Sequence, residues 1–192
     1  MKENRYEAEL RQLIQQDERT MAILRTVRRC DPPEWLVGAG VIRNLVWDHL
    51  HGYSQPTPAR DIDVAFFDAA DLSPERDASV TAQLSELLPA VEWEATNQAA
   101  VHLWYANLFG QTWPPFTSTI EAIATWPETA TCTAVCLLPD DSLQIVAPFG
   151  LEDLFQMILR RNPARVTAEQ FQQRLGDKKI LQKWPQVRVI EG

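Results

Sequence analysis

The feature that most constrains the fold is an apolar segment that runs into a glycine-containing turn and then into a helix. Residues 35–37 are predicted to be a buried strand, and residues 38–40 a tight turn. The helix after the turn is predicted from apolar residues at helical spacing, Ile42, Leu45, Val46 and Leu50. A loop rich in turn formers leads to a second strand at 61–67, whose alternate side chains face opposite ways. The order strand, turn, helix, strand is therefore expected at the centre of the fold.

Strands and helices are interleaved in the rest of the chain without strict alternation. Residues 5–30 are predicted to form one amphipathic helix, because apolar residues recur there at helical spacing among polar ones. Ser73-Pro74 is typical of a helix start, and a third strand is predicted at 91–96. The later segments are a helix that ends near Gly110, a short helix from Ser118 to Trp126, a hairpin at 131–138 and 142–147, and helices near 151–159 and 167–175. This pattern predicts an α+β fold with a mixed β-sheet flanked by helices.

The size of the chain favours a single domain. Its 192 residues, 45% of them hydrophobic, can bury one substantial core. We expect one domain over 1–192, with an N-terminal helix at 5–30, a motif core at 35–97, and a hairpin and helices at 117–192.

Charge and cysteine usage bear on partners and location. The net charge of −8 argues against a broad nucleic-acid groove, since a polyanion binds where cations cover the surface. A small molecule or a protein is therefore the favoured partner, ahead of a long nucleic acid. The three cysteines have no metal-type spacing, and the charged N-terminal segment contains no secretory signal. A cytoplasmic protein without membrane spans is expected, and the sequence does not indicate an oligomeric state.

Asp61 and Asp63 are the first candidates for chemistry. Residues two apart on a strand point to the same face, so this pair presents two carboxylates side by side. Like charges so close are costly unless a cation joins them, and carboxylates together with substrate phosphates suit Mg²⁺. An isolated pair of this kind is also typical of a solvated strand end, so the interpretation depends on the glycine turn upstream.

The glycine turn is a candidate phosphate site. Without Cβ atoms, Gly38 and Gly40 let backbone N–H groups approach phosphate oxygens at the start of a helix, where anions are favoured. Arg43, close to that helix start, reaches either a triphosphate or one of the aspartates. Further nucleotide-binding candidates here are Ala39 in the turn, Asn44 after Arg43, and Arg60 directly before the carboxylates.

Together these motifs resemble those of the polymerase β-like nucleotidyltransferase superfamily, whose pattern is a strand, a Gly-Gly or Gly-Ser turn that opens a helix, and an Asp-x-Asp strand. Residues 37–44 are also similar to the Gly-Gly-x-Val-Arg-Asp segment of tRNA nucleotidyltransferases. Beyond this core, further segments look like those of a small bacterial family of nucleotidyltransferase-like proteins. These segments are 93–99, 102–105, 126–130 and 147–151. The resemblance covers most of the chain and implies a minimal catalytic domain with the polymerase β-like fold.

The resemblance also implies a third carboxylate on a neighbouring strand. Glu94 is the best-placed candidate, and Glu92 shares its face and is the alternative. Asp61, Asp63 and Glu94 would then hold Mg²⁺ or Mn²⁺, and Glu94 would accept the proton of the nucleophile. The implied reaction transfers a nucleoside monophosphate from an NTP to an acceptor.

Other polar and aromatic residues are candidates for base and ribose recognition. This set follows the third strand and consists of Asn97, Gln98, His102, Trp104 and Tyr105. Packing in the core or at its rim is the competing interpretation for the two aromatic residues. Lys178 and Lys179 would reach a phosphate only if the last helix folds over the cleft.

Two other functions remain compatible with the motifs. An Asp-x-Asp glycosyltransferase also uses such a pair to bind a metal and a nucleotide-sugar diphosphate, but the chain is short for that class. The other alternative is a catalytically inactive module that binds a nucleotide or a partner. Ala39 between the two glycines keeps this second alternative open.

Overall fold

A computed structural model describes residues 5–110 and 112–190, apart from the side chains of residues 106–109. The domain prediction also covers residues 1–4, 111 and 191–192, which lie outside the described residues. The helices are α1 (Arg5–Gln16), α2 (Glu18–Cys30), α3 (Gly40–His51), α4 (Pro74–Leu87), α5 (Val101–Phe109), α6 (Thr119–Ile123), α7 (Glu152–Phe155), α8 (Ala168–Lys178) and α9 (Ile180–Lys183). The strands are β1 (Leu36–Gly38), β2 (Ile62–Phe66), β3 (Trp93–Asn97), β4 (Ala134–Leu137), β5 (Leu143–Val146), β6 (Ile158–Arg160) and β7 (Arg188–Ile190). Two 3₁₀ turns lie at Gln98–Ala100 and Thr129–Thr131.

The main sheet has five strands in the order β3-β2-β1-β4-β5. β2 and β3 are parallel, whereas β1 is antiparallel to both β2 and β4, and β4 is antiparallel to β5. Helices pack against this sheet, with α4 on β3, α2 on β4 and α3 on β1 and β2. The predicted α+β fold with a mixed sheet and flanking helices is therefore confirmed. None of the described helices is long and apolar enough to cross a membrane.

The sheet register brings the two sequence motifs to one edge. Val37 pairs with Val64 in the antiparallel β1–β2 ladder, so the end of β1 lies beside the start of β2. The glycine turn follows β1 and Asp61 precedes β2, and both therefore reach the same edge. In the parallel β2–β3 ladder, Asp63 pairs directly with Glu94. This register is the structural origin of the candidate site.

The prediction of one N-terminal helix over 5–30 is wrong at a single point. The helix breaks at Asp17, whose backbone is extended and whose carboxylate accepts a hydrogen bond from the Thr20 N–H at 2.8 Å. An aspartate in that position caps a new helix start, which favours two helices over one. Leu10 and Ile14 on α1 and Leu24 on α2 are nevertheless fully buried, as the apolar spacing indicates.

The C-terminal part also differs from the prediction. Of the helix expected near 151–159, only α7 forms a helix. The last residues of that predicted segment belong to β6, which pairs in parallel with β7. Met157 has a positive φ of 52°, which ends the helical path before β6. No strand was predicted for the β7 segment. The hairpin at β4 and β5 and the helix at α8 are confirmed.

The C-terminal segment is fixed to α3 by buried tryptophans. Trp184 is fully buried, and its indole Nε1 donates to Asp48 Oδ1 at 2.7 Å. Its ring packs edge to face on Trp47, with 5.4 Å between the ring centroids. Asp48 also accepts hydrogen bonds from the backbone N–H and the hydroxyl of Thr57. One carboxylate on α3 therefore holds both the C-terminal segment and the loop that precedes β2.

The two glycines of the turn have different structural roles. A Cβ on Gly38 would lie 2.8 Å from both the Ala134 Cβ and the Trp126 ring, so the close packing of this strand end requires glycine. A Cβ on Gly40 would meet nothing within 4 Å. Between them, Ala39 adopts φ 52° and ψ −112°, a backbone conformation that strains an L-residue.

The glycine turn yields a prediction about stability. Gly38→Ala should lower the free energy of unfolding by about 1–3 kcal/mol, because the added methyl overpacks Trp126 and Ala134. Gly40→Ala is the matched control and should change it by less than about 1 kcal/mol, since the added methyl enters open space at a helix start. Urea unfolding followed by far-UV circular dichroism measures both values. Equal losses for the two variants would contradict the packing described here.

Candidate active site

A cavity of about 600 Å³ opens at the edge of the sheet where the two motifs meet. Three parts of the chain enclose it, namely the turn with the start of α3, the loop leading into β2, and segments of the C-terminal half. Its lining residues are Ala39, Gly40, Arg43 and Asn44 from the first part, Pro58, Ala59, Arg60, Asp61 and Asp63 from the second, and Trp126, Pro127, Glu128, Thr131, Arg174, Asp177, Lys178, Lys179 and Lys183 from the third. Acidic and basic side chains thus face one volume.

Three carboxylates form a cluster at the edge of this cavity, and two of them, Asp61 and Asp63, line it. One oxygen each from Asp61, Asp63 and Glu94 lies within 4.8 Å of the other two. Asp61 and Asp63 share a strand face, and Glu94 is the direct partner of Asp63 on β3. Glu92 is exposed and lies outside this cluster, and its backbone carbonyl accepts a hydrogen bond from the Ile62 N–H at 2.8 Å. The structure therefore brings together Asp61, Asp63 and Glu94, the three residues that the sequence singled out.

The cluster is electrostatically unfavourable when no cation is bound. Burial, reinforced by the negative charges of Asp61 and Glu94, raises the pKa of Asp63 to about 6. Burial and the proximity of Asp61 also raise the pKa of Glu94 above its ordinary value. Lys178 acts in the opposite direction on both groups. Such strain among like charges is typical of a site built to bind a positive ion.

The helix start of α3 forms the second wall of the cavity. Ala39 and Gly40 line it, and the Ala39 N-cap makes no side-chain hydrogen bond to the first turn. The first N–H groups of a helix have no partners within the helix, and they carry partial positive charge. The wall facing the carboxylates therefore offers backbone donors to an anion.

Arg43 and Asn44 both line the cavity, and internal contacts hold them in place. The Arg43 guanidinium donates two hydrogen bonds to Asn44 Oδ1, at 3.2 and 2.8 Å. It also lies over the rings of Trp47 and Trp184, 5.4 and 5.2 Å from their centroids. Asn44 Nδ2 donates to the Thr57 carbonyl at 3.2 Å. This packed unit places a fixed positive charge at the base of the cavity.

The sequence pointed to two of the four C-terminal cations, Lys178 and Lys179, but not to Arg174 and Lys183. Arg174, Lys178, Lys179 and Lys183 all line the cavity, together with the predicted Arg60. The condition set for Lys178 and Lys179, that the last helix fold over the cleft, is met by α8 and α9. Because α8 runs to Lys178, beyond the predicted end near 175, Arg174 and Lys178 lie four residues apart on one helix and share a face, a spacing that a longer predicted helix would have revealed.

The residues predicted for base recognition lie at the other end of β3. Asn97 is the last residue of β3, whereas Glu94 lies near the start of that strand, and Asn97 is fully buried. Its amide accepts hydrogen bonds from the N–H groups of Asp68 and Ala99 and donates to the carbonyls of Asp68 and Asp71. The structure thus places Asn97 outside the cavity, as an anchor for the loop after β2. The following residues, Gln98, His102, Trp104 and Tyr105, are likewise absent from the cavity lining.

Comparisons with known proteins agree with this geometry. A family model described as nucleotidyltransferase matches residues 25–189. A protein whose NMR structure is described as revealing a CCA-adding enzyme head domain is similar over 96% of both chains, with a TM-score of 0.81 and 28% sequence identity. No curated protein matches the chain.

Two larger enzymes share the fold at lower identity. A CCA-adding enzyme in complex with CTP is similar over 96% of this chain and 43% of its own, with a TM-score of 0.58 and 15% identity. The Thermotoga maritima CCA-adding enzyme in complex with tRNA is similar over 96% of this chain and 42% of its own, with a TM-score of 0.57 and 14% identity. This chain therefore spans less than half the length of these two enzymes. From its motifs, its fold and the family model, the chain belongs to the nucleotidyltransferase family.

Proposed function

We propose that the chain binds a nucleoside triphosphate in this cavity and transfers its nucleoside monophosphate to an acceptor. The observation that carries the proposal is the cluster of Asp61, Asp63 and Glu94, of which Asp61 and Asp63 line one cavity together with an uncapped helix start. A nucleotide with a bound divalent ion has the complementary arrangement of charge. Solved CCA-adding enzymes of the same fold are described as complexes with CTP and with ATP, which supports the substrate class.

The carboxylate cluster fits Mg²⁺ or Mn²⁺. Its donors are all carboxylate oxygens, the ligands these hard cations prefer, and they lie close enough to be shared. Burial and the neighbouring carboxylates together raise the pKa of Asp63, which supports a role for a bound cation here. A bound ion would supply positive charge against the phosphate oxygens during transfer. Asp61, Asp63 and Glu94 are the residues that would hold it.

The chain's own groups account for the other requirements of the reaction. The first N–H groups of α3 and the side chain of Arg60 bind phosphate oxygens. Glu94 is the exposed member of the cluster and has a raised pKa, so it is suited to take the proton from the acceptor hydroxyl. The acceptor oxygen then bonds to the α-phosphorus, the α–β anhydride bond breaks, and pyrophosphate leaves. Arg43, held by Asn44, positions the triphosphate from below.

The acceptor is proposed to be a small molecule or a protein. The net charge of −8 disfavours a long polyanion, and the cations of the cavity lie beside the proposed triphosphate site. The tRNA complex belongs to an enzyme of which this chain spans 42%, so its acceptor is not carried over.

Nucleotide transfer should depend on the carboxylate cluster. The double variant Asp61→Asn, Asp63→Asn should lose labelled-NTP incorporation by a factor of roughly 10³ or more, because several kcal/mol of charge stabilisation disappear. Incorporation with Mn²⁺, with pyrophosphate release measured in parallel, checks this. Glu92→Gln, directly before β3, is the matched control and should retain activity, since Glu92 lies outside the cluster. Equal incorporation by the double variant and the wild type would remove the proposal.

The electrostatic strain at Asp63 predicts an unusual stability effect. The folded-state pKa of about 6 exceeds the ordinary value of 3.8, so the folded protein takes up a proton before the unfolded chain does. Stability from this group is therefore present below about pH 4 and is lost as the pH rises towards 6. Without metal at pH 8, the free energy of unfolding of Asp63→Asn should exceed that of the wild type by about 1–2 kcal/mol. This gain in stability should shrink at pH 4.

Urea unfolding at the two pH values in EDTA measures this gain. Asp177→Asn, which removes a carboxylate from the same cavity but outside the cluster, is the control and should show no such gain. Adding Mn²⁺ at pH 8 should stabilise the wild type more than Asp63→Asn. An Asp63→Asn protein less stable than the wild type at pH 8 would contradict the strain attributed to this carboxylate.

A further inference from the structure

Lys178 is one of three cations lining the cavity, with Arg60 and Lys179, for which the described residues provide no side-chain hydrogen bond, ion pair or ring contact. Arg174 is paired with Glu128, its Nε 3.0 Å from the carboxylate, and Arg43 is bonded to Asn44. For Lys178, which is solvent-exposed and lines the cavity, the structure shows neither a hydrogen bond nor an ion pair among the described residues. Its ammonium group is therefore available to a ligand.

The position of Lys178 is set by well-anchored structure on both sides. Upstream, Thr167 and Gln170 form a capping box at the start of α8, and Phe171 is fully buried. Downstream, Lys179 ends the helix with φ 50°, and Ile180 is buried as α9 begins. The helix end that carries Lys178 is thereby held at the cavity that Asp61 and Asp63 also line.

Lys178 is surrounded by both basic and acidic side chains. The groups that interact with it electrostatically are Arg174, Arg43, Glu128 and Asp63. Partial desolvation, together with the two arginines, lowers its pKa, while Glu128 and Asp63 favour its charged form. In turn, Lys178 lowers the pKa of Asp63 and of Glu94. Lys178 thus carries a positive charge within electrostatic reach of the cluster that would hold the cation.

We propose that Lys178 binds the polyphosphate of the nucleotide on the wall opposite the carboxylates, and that its charge opposes cation binding while no nucleotide is present. This inference rests on the proposed function and assigns one of its binding residues. A polyphosphate between the two walls would be shared by the Lys178 ammonium on one side and the ion on the other. Metal and nucleotide would then bind cooperatively, because the nucleotide neutralises the charge that repels the metal.

The proposal predicts opposite effects of one substitution on two ligands. Lys178→Met keeps the length of the side chain and removes its charge. Affinity for Mn²⁺ alone should rise several-fold, because a repelling charge is gone. Affinity for α,β-methylene-ATP in the presence of Mn²⁺ should fall roughly 10- to 100-fold, the range expected for loss of a charged hydrogen bond. If the role of Lys178 were purely structural, the substitution would lower the affinity for both ligands together.

Isothermal titration calorimetry with Mn²⁺ alone, and with α,β-methylene-ATP at saturating Mn²⁺, tests this on the full chain. Lys178→Arg keeps the charge and should behave like the wild type for both ligands. Arg25→Met, on the distant helix α2, changes net charge equally and should leave both affinities unchanged. Circular dichroism confirms that each variant is folded.

The outcomes separate the inference from the proposed function. A wild-type chain that binds neither Mn²⁺ nor the analogue overturns both. Wild-type binding of both ligands, with Lys178→Met either unchanged or weakened for both, overturns the role of Lys178 alone. If Lys178→Met is unfolded, Lys178→Gln takes its place in the same titrations, with the same expected pair of opposite shifts.

Discussion

The parallel pairing of β2 with β3 places Asp63 directly beside Glu94, and the candidate site depends on that register. A shift of one residue would turn Glu94 to the opposite face of the sheet and leave Asp61 and Asp63 without their third carboxylate. The antiparallel β1–β2 pairing acts at the same edge and brings the glycine turn beside the acids. Two ladders of one sheet therefore build a cation-binding wall and an anion-binding wall from residues far apart in the chain.

The C-terminal segment completes the site from the other side. Trp184 is bonded to Asp48 on α3, and Arg174 is paired with Glu128 before β4. These contacts hold α8 at the cavity. The cationic side chains of the C-terminal segment supply most of the positive charge of the cavity. An acidic protein thereby acquires a locally basic surface beside a cluster of three carboxylates. That division suits a ligand which is itself a chain of negative charge bound to a divalent ion.

Sequence reasoning predicted the parts of this arrangement that local spacing determines. The strand, glycine turn and helix, the two aspartates and the Ser-Pro start of α4 all follow from neighbours within a few residues. The break at Asp17 was missed because the apolar period continues through it, although an aspartate is a good helix cap. The pairing of β6 with β7 joins segments about thirty residues apart, and no local pattern reports it. Asn97 was assigned to a ligand from its chemistry, whereas the fold commits its amide to the loop after β2.

The central claim is that the three carboxylates form one cation site facing a polyphosphate. A crystal structure with Mn²⁺ and α,β-methylene-ATP, with the ion located by anomalous scattering, tests it directly. The account predicts an anomalous peak ligated by Asp61, Asp63 and Glu94, with phosphate oxygens between that ion and the start of α3. A nucleotide bound elsewhere, or a peak away from these carboxylates, would contradict it.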